Sequence, residues 1–146
     1  MPLKWFEKTV EYNFLARAII FDTFNNISPL DGIMERAGDT LLEKANKWIL
    51  IEFKKDKQSI STEKSKFKDY SAAKNELKTM DKHHFLIYGI SELDMISKHK
   101  FSISLFAQTY FSDIAIGTLN RDGMKLICDS GLVITRYTRQ STTSCI

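Results

Sequence analysis

The chain has 146 residues, of which 43% are hydrophobic and 27% are charged, and its formal net charge is +3. These values are typical of one soluble globular domain that is long enough to bury a core. No apolar run approaches the roughly 20 residues of a membrane span, and the first residues do not resemble a signal sequence, so we expect a cytoplasmic protein without a membrane partner. Cys128 and Cys145 lack histidines at ligand spacing, which predicts reduced thiols and no zinc site.

Positive charge is concentrated in the middle of the chain. Residues 1–43 carry a net charge of −3, residues 44–82 carry +5, and residues 83–146 carry +1. Clustered lysines suit a polyanionic partner, although lysines on a solvated helix face would give the same count.

The first predicted element is a helix from Lys4 to about Asn25. Its apolar residues recur on one broad stripe at helical spacing, namely Phe6, Val10, Phe14, Ala18 and Phe21. Glu7 and Glu11 lie one turn apart beside that stripe. Residues 29–32 are predicted to form a turn, and Ile33–Ala37 to form the first strand or to lead into the next element.

A β-hairpin is predicted next, and the functional interpretation depends on it. Thr40–Glu43 and Trp48–Lys54 are rich in apolar and β-branched residues, and the polar residues between them predict a tight turn. If Ala45-Asn46 is the turn centre, Leu41 faces Leu50 across the two strands. The next pair on that face joins Asp39 to Glu52, with Cβ atoms about 4.5–5.5 Å apart.

Lys54 follows Glu52 by two residues and therefore lies on the same face. Two adjacent carboxylates repel each other, and a cation such as Mg²⁺ between Asp39 and Glu52 would relieve that repulsion. The second strand is apolar on both faces, so its charged groups are costly unless they are paired or bound to metal. A buried ion pair between Glu52 and Lys54, or a surface hairpin with charges at its end, is the alternative interpretation.

A polar loop follows Lys54, and a helix is then predicted with Ser61 or Thr62 as its N-cap and Glu63 in its first turn. Apolar residues recur every three to four positions and predict the buried face of this helix: Phe67, Tyr70, Ala73, Leu77 and Met80. His83–Ile90 is predicted to be another buried strand.

The remaining residues are predicted to extend the core with a helix and a hairpin. Ser91–Ser97 could form a short helix. For Phe101–Ile116 the spacing of aromatic residues favours a helix, with two successive strands as the alternative. Met124–Cys128 and Leu132–Tyr137, on either side of Asp129-Ser130-Gly131, are predicted to form a second hairpin.

Asp39, followed after twelve residues by Glu52-Phe53-Lys54 at the end of an apolar run, resembles the core motif of the PD-(D/E)XK nuclease superfamily. The resemblance covers roughly residues 4–90, and its spacing is similar to that of archaeal Holliday-junction resolvases. It implies an α/β fold with a restriction-endonuclease-like α-β-β-β-α-β core, in which helices flank a mixed central sheet. We therefore expect one nuclease-like domain over 1–146, with its core in 1–90 and an extension in 91–146.

The resemblance also implies roles for individual residues. Asp39, Glu52 and the main-chain carbonyl of Phe53 would bind Mg²⁺, with Mn²⁺ as an alternative ion, and Glu11 matches the acidic residue that the first helix often contributes. Lys54 would position or activate the attacking water. The helix after the E-x-K strand often lends a side chain to the active site, and the candidates here are Gln58, Lys64 and Tyr70. The expected nucleic-acid contacts are Lys55, Lys57, Gln58 and Lys64.

The leading hypothesis is thus a Mg²⁺-dependent endonuclease that cleaves phosphodiester bonds in DNA with structure-directed or weak sequence specificity. Cutting of a duplex by a domain with a single site usually requires two copies, so a homodimer is expected. The alternative is a catalytically inactive protein with the same fold that binds nucleic acid or a protein partner, as in small phage or mobile-element proteins. An unrelated α+β domain whose hairpin charges are structural is a third interpretation.

Overall fold

The computed structural model describes residues 7–21, 23–30, 38–93 and 101–133. Three α-helices and seven strands are described, together with a 3₁₀ helix at Gln58–Lys66. The elements in chain order are α1 (Glu7–Ile20), β1 (Asn26–Pro29), β2 (Thr40–Lys44), β3 (Lys47–Lys54), the 3₁₀ helix, α2 (Tyr70–Leu77), β4 (His84–Leu93), β5 (Phe101–Thr109), β6 (Ala115–Thr118), α3 (Arg121–Asp129) and β7 (Leu132–Val133). The described part of the protein is thus a mixed α/β structure.

All seven strands belong to one mixed sheet, with β1 to β6 in the order of their numbers and β7 beside the start of β3. The β3–β4 pair is parallel, and every other strand pair is antiparallel. The 3₁₀ helix and α2 connect the two parallel strands, as a parallel pair requires a long crossover.

Each face of the sheet is covered by its own layer of helices. On one face, α1 and α3 bury a large apolar core that includes Phe14, Ile51, Phe53 and Met124. On the other face, the 3₁₀ helix and α2 pack over a smaller aromatic cluster around Leu86, Tyr110 and Phe111. Successive residues of β3 point to opposite faces, so Ile51 and Phe53 enter the large core while Glu52 and Lys54 face the aromatic layer.

The hairpin prediction is confirmed in its register. Leu41 pairs with Leu50, Glu43 with Trp48, and Lys44 with Lys47. Ala45 and Asn46 have positive φ angles of 49° and 66°, as the two central residues of a type I′ turn require.

The first helix is confirmed but ends at Ile20, before the predicted end at Asn25. Residues 26–29 form the edge strand β1, which the sequence reading did not predict. Pro29 is compatible with an edge strand because an edge does not need every N–H group. The predicted strand at Ile33–Ala37 lies outside the described residues.

The segment after β3 differs from the prediction in its boundaries. Asp69, rather than Ser61 or Thr62, is the N-cap of α2, and its side chain accepts a hydrogen bond from the Ala72 N–H group at 3.1 Å. The predicted buried face is confirmed for Phe67, Tyr70, Ala73 and Leu77. Met80 was wrongly included, since it is 57% exposed beyond the end of α2.

The predictions for the C-terminal half are mostly wrong. The strand β4 continues to Leu93, where a short helix was predicted, and residues 94–97 lie outside the description. Phe101–Ile116 forms β5 and the start of β6 instead of the favoured helix, because β5 pairs with β4 along its whole length, from Phe85–Thr109 to Leu93–Phe101.

The predicted second hairpin is also wrong. Met124–Cys128 belongs to α3, which Asn120 caps by accepting a hydrogen bond from the Gly123 N–H group at 2.9 Å. Met124 and Ile127 are fully buried on one side of this helix. Leu132 and Val133 form a short strand that pairs with β3. The predicted strand residues 134–137 and Cys145 lie outside the described residues.

Candidate active site at the carboxyl end of β3

Asp39 lies against the end of β3, close to Glu52. Its N–H group donates to the Ile51 carbonyl at 2.8 Å, and its Oδ2 accepts from the Phe53 N–H group at 2.8 Å. The regular hairpin register ends at the Thr40–Ile51 pair, and because the Asp39 N–H group also bonds to Ile51, the predicted pairing of Asp39 with Glu52 does not form as a regular register pair. The two residues are still close enough for the charge of Asp39 to raise the pKa of Glu52. The two backbone bonds hold the half-buried Asp39 carboxylate at a defined position beside β3.

Glu52 and Lys54 are buried charged residues, with 3% and 8% of their surfaces exposed. The Lys54 ammonium lies 4.0 Å from Glu52 Oε1, at the limit of an ion pair. Its closer partners are Glu63 Oε1 at 2.5 Å and the Thr62 hydroxyl oxygen at 3.0 Å. The buried Glu52–Lys54 pair that the sequence left open is therefore the weaker of the contacts that Lys54 makes.

The 3₁₀ helix contributes two residues to which the sequence reading assigned no role in the site, Glu63 and Lys66. Lys66 Nζ lies 2.9 Å from Glu52 Oε1 and 3.2 Å from Glu63 Oε2. Glu63 is 3% exposed. The three-residue spacing of Glu63 and Lys66, which is typical of one helical turn, was the sequence signal for this pair. We refer to Asp39, Glu52, Lys54, Glu63 and Lys66 as the carboxylate–lysine cluster.

Tyr110 contacts the cluster through Glu63. Its hydroxyl group donates a hydrogen bond to Glu63 Oε2 at 2.5 Å. The Tyr110 ring stacks on the imidazole of His84, with centroids 3.9 Å apart and an angle of 7° between the planes. Burial lowers the pKa of His84 to about 4, so this ring is neutral at pH 7. Glu63 is thus held by a rigid aromatic support.

The first helix places two acids near Asp39. Glu7, Glu11 and Asp39 line one cavity of about 130 Å³. Glu11, the predicted metal ligand, has Lys8 as an ion-pair partner at 2.7 Å. The pKa of Glu7 is raised by burial and then by the charge of Asp39, while Lys54 and Lys66 oppose the shift. Glu7 therefore shares the electrostatic environment of the cluster, although the sequence reading gave it no metal role.

Burial and mutual repulsion shift the acids of the cluster. Burial, followed by the charge of Asp39, raises the pKa of Glu52 to about 8 despite the hydrogen bond from Lys66. Burial also raises the pKa of Asp39, against the hydrogen bond from Phe53. For Glu63, burial alone would raise the pKa, but the hydrogen bonds from Lys54 and Tyr110 outweigh it and the pKa is lowered.

The charges of this region do not balance. Glu7, Asp39, Glu52 and Glu63 are four acids that influence one another, and Lys54 and Lys66 are the two lysines among them. When all are ionised, two negative charges remain in excess. Burial is the largest cause of the raised pKa values of Glu52, Asp39 and Glu7, and the excess negative charge adds to it.

Among residues 7–21, 23–30, 38–93 and 101–133, no group of three or more His, Cys, Asp or Glu side chains is arranged to hold a metal ion. Phe53, whose main-chain carbonyl is a predicted metal ligand, has its side chain buried in the large core, and its main chain pairs with Ile87 of β4.

The described helices include none that is long and apolar enough to cross a membrane.

The four candidate nucleic-acid contacts are exposed residues near the cluster. Lys57, Gln58 and Lys64 line the same cavity of about 390 Å³, which also includes Glu63 and Tyr110 in its wall. Lys55 precedes them, and its carbonyl accepts a hydrogen bond from the Gly89 N–H group at 3.3 Å.

Comparison with known proteins does not identify a relative: no family model matches this sequence, and neither the curated proteins nor the solved structures give a match. The functional interpretation therefore depends on the geometry and charge of the cluster.

Proposed function

We propose that this protein is a Mg²⁺-dependent nuclease that hydrolyses phosphodiester bonds in DNA, with structure-directed or weak sequence specificity. The observation that carries the proposal is the excess of two carboxylates in a region where Glu52 is 3% exposed. A buried acid in this position destabilises the protein unless a proton or a cation neutralises it. A divalent cation supplies the missing charge.

The fold supports the proposal. The element order α1-β1-β2-β3-α2-β4, with β3 and β4 parallel, agrees with the α-β-β-β-α-β core that the PD-(D/E)XK resemblance implies. Asp39 is bonded to the carboxyl end of β3, where Glu52 also lies. On these grounds we propose a restriction-endonuclease-like core.

The donor set fits Mg²⁺, or Mn²⁺ in its place. Magnesium binds hard oxygen ligands and usually needs only one or two protein carboxylates beside its waters, so a two-carboxylate site is sufficient. Asp39 and Glu52 would hold the ion, with the Phe53 carbonyl and Glu11 as the further ligands that the resemblance implies. When bound, the ion would polarise the scissile phosphate and offset charge on the leaving oxygen.

Lys54 would position the attacking water, and the structure indicates how its ammonium is oriented. Glu63 lies 2.5 Å from Lys54 Nζ, and Thr62 accepts a hydrogen bond from it at 3.0 Å. These contacts hold the ammonium beside the 3₁₀ helix, 4.0 Å from Glu52 Oε1, where it could also stabilise negative charge on the phosphate. Lys66, whose side chain is one-third exposed, acts as the counter-ion of Glu52 and can withdraw towards solvent.

A second candidate is a non-catalytic protein that binds nucleic acid or another protein. The observation in its favour is that Glu52 and Glu63 already have lysine partners at 2.9 Å and 2.5 Å. Such a network can be purely structural. It does not account for Asp39, whose carboxylate accepts a backbone N–H group beside Glu52 and has no lysine within ion-pair distance among the described residues.

Nuclease activity is tested by incubating the protein with supercoiled, linear and four-way-junction DNA in Mg²⁺, Mn²⁺ or chelator. Cleavage should require a divalent ion and should be lost in Glu52→Gln and Lys54→Ala, with the fold retained. Glu76→Gln is the matched control, because it neutralises an exposed acid on α2. Metal-independent cleavage, or cleavage that survives both site variants, would contradict the proposal.

For cutting of both strands of a duplex we propose a homodimer, which sedimentation of the protein with and without DNA would detect.

A further inference from the structure

A cavity of about 390 Å³ opens next to the carboxylate–lysine cluster. Glu63 belongs to both, since it lines the cavity and pairs with Lys54, and Tyr110 lines the cavity and donates a hydrogen bond to Glu63. Leu86 and Ile60 add apolar surface to the lining. The volume is within the range of about 300–1,000 Å³ that is typical of small-molecule sites.

The mouth of this cavity has the chemistry that recognises a nucleotide. Lys57 and Lys64 are exposed cations that suit a phosphate, and Gln58 offers an amide that can bond to the edge of a base. Tyr70 supplies an aromatic ring, with Lys64 Nζ 5.6 Å from the ring centroid. A ring of this kind stacks on bases of any sequence.

Three further lining residues, Lys74, Asp113 and Gln108, are bonded to one another. Lys74 Nζ lies 2.7 Å from Asp113 Oδ2, and the Gln108 amide donates to Asp113 Oδ1 at 3.3 Å. The lining therefore contains three lysines and two acids, Glu63 and Asp113, which leaves one positive charge in excess. Positive charge, an apolar floor and an aromatic face together favour a negatively charged, planar ligand.

We propose that this cavity binds one unpaired nucleotide of the strand that the protein cleaves. The inference rests on the proposed nuclease function and names its substrate class more narrowly: nucleic acid with an unpaired segment, such as a single strand or a flap. A base in a duplex is stacked and paired, so it cannot enter this cavity without being extruded at a cost of a few kcal/mol. An unpaired base enters without that cost. DNA and RNA share the chemistry on which this recognition depends.

The test is equilibrium binding of the full chain to fluorescent oligonucleotides in chelator, so that no cleavage occurs. The probes are a single-stranded DNA, an RNA of the same sequence and the corresponding DNA duplex. Ser61→Trp places a bulky side chain in the cavity from its exposed rim. Ser65→Trp is the matched control, because both serines are exposed, lie on the 3₁₀ helix and donate to the carbonyl three residues earlier, but Ser65 does not line the cavity.

The wild type should prefer a single strand over the duplex, and Ser61→Trp should weaken single-strand binding about ten-fold, as expected when one stacked base is displaced. Ser65→Trp should bind like the wild type. In a second pair of variants, Lys64→Ala and Lys68→Ala each remove one exposed positive charge. Only Lys64→Ala should weaken binding of the single strand more than binding of the duplex. Preference of RNA over DNA, or the reverse, identifies the nucleic acid.

Equal binding by Ser61→Trp and Ser65→Trp would overturn the inference, and so would an equal loss for duplex and single strand. Thermal unfolding of each variant confirms that it is folded. Failure of the proposed function is a separate result: absence of metal-dependent cleavage with the binding pattern intact contradicts the nuclease, whereas cleavage that depends on Glu52 without any effect of Ser61→Trp contradicts only the nucleotide site.

Discussion

The carboxylate of Glu52 should make the metal-free protein less stable as the pH rises, and Glu52→Gln should remove this dependence. Glu52 is 3% exposed, and burial and Asp39 raise its pKa from 4.5 to about 8. A folded-state pKa above the unfolded value means that the folded protein binds the proton more tightly. The stability that this proton contributes is complete below pH 4.5 and is lost as the pH rises towards 8.

The size of the effect follows from the two pKa values. Each pH unit between them is worth about 1.36 kcal/mol, so the cost of ionising Glu52 reaches about 3 kcal/mol at pH 7 and about 5 kcal/mol well above pH 8. For a domain of this size, 3 kcal/mol corresponds to a change of roughly 10 °C in melting temperature.

The assay is denaturant or thermal unfolding of wild type, Glu52→Gln and the exposed control Glu76→Gln in chelator from pH 5 to pH 9. The stability difference between Glu52→Gln and wild type should increase with pH in favour of the variant, while the control follows the wild type. Titrating groups outside the cluster cancel in this comparison because all three proteins share them. A difference that stays constant, or that favours the wild type at high pH, would refute the charge argument.

Three further changes test the packing around the site, each measured by denaturant unfolding. Tyr110→Phe removes a hydroxyl that donates to a buried carboxylate and should cost about 2 kcal/mol; a loss below about 0.5 kcal/mol would contradict its supporting role. Asp81→Ala leaves the N–H groups of Phe111 and Ser112 without their acceptor and should cost roughly 3 kcal/mol, whereas a neutral result would mean that this loop does not depend on the carboxylate. Phe53→Ala should cost about 3–5 kcal/mol because the ring is 1% exposed in the large core, and a cost under 1 kcal/mol would show that the core can collapse around it.

The parts of the fold that local residues determine could be predicted from the sequence. The hairpin is the best case, because the turn at Ala45-Asn46 and the alternation of β3 are local and together set the register as far as the Thr40–Ile51 pair, next to Asp39. The buried face of α2 is another local pattern, which the recurrence of apolar residues at helical spacing describes.

Elements that form only because they pair with strands distant in the sequence could not be predicted in the same way. The apolar spacing of residues 101–116 fits a helix as well as a strand, and the strand forms because β4 provides a partner for β5 along its length. For α3 the signal was present, but Met124–Cys128 was interpreted as one strand of a hairpin. Asn120 is an N-cap, and Met124 and Ile127 have helical spacing.

Within the site, the sequence reading identified the residues of β3 but missed their partners on the 3₁₀ helix. Lys66 is 14 residues from Glu52, which it contacts, and Glu63 is 47 residues from Tyr110. No pattern among neighbouring residues indicates a contact between residues this far apart in the sequence. The buried acids and lysines of β3 indicated only that partners had to exist.

Binding of Mg²⁺ to the metal-free protein, measured by isothermal titration calorimetry at pH 8, tests the central claim most directly. The two excess carboxylates predict one ion bound per chain by the wild type, with release of protons from Glu52, and loss of binding in Asp39→Asn and Glu52→Gln but not in Glu76→Gln. A titration without binding, or binding that both site variants retain, would contradict the claim that these carboxylates form a metal site.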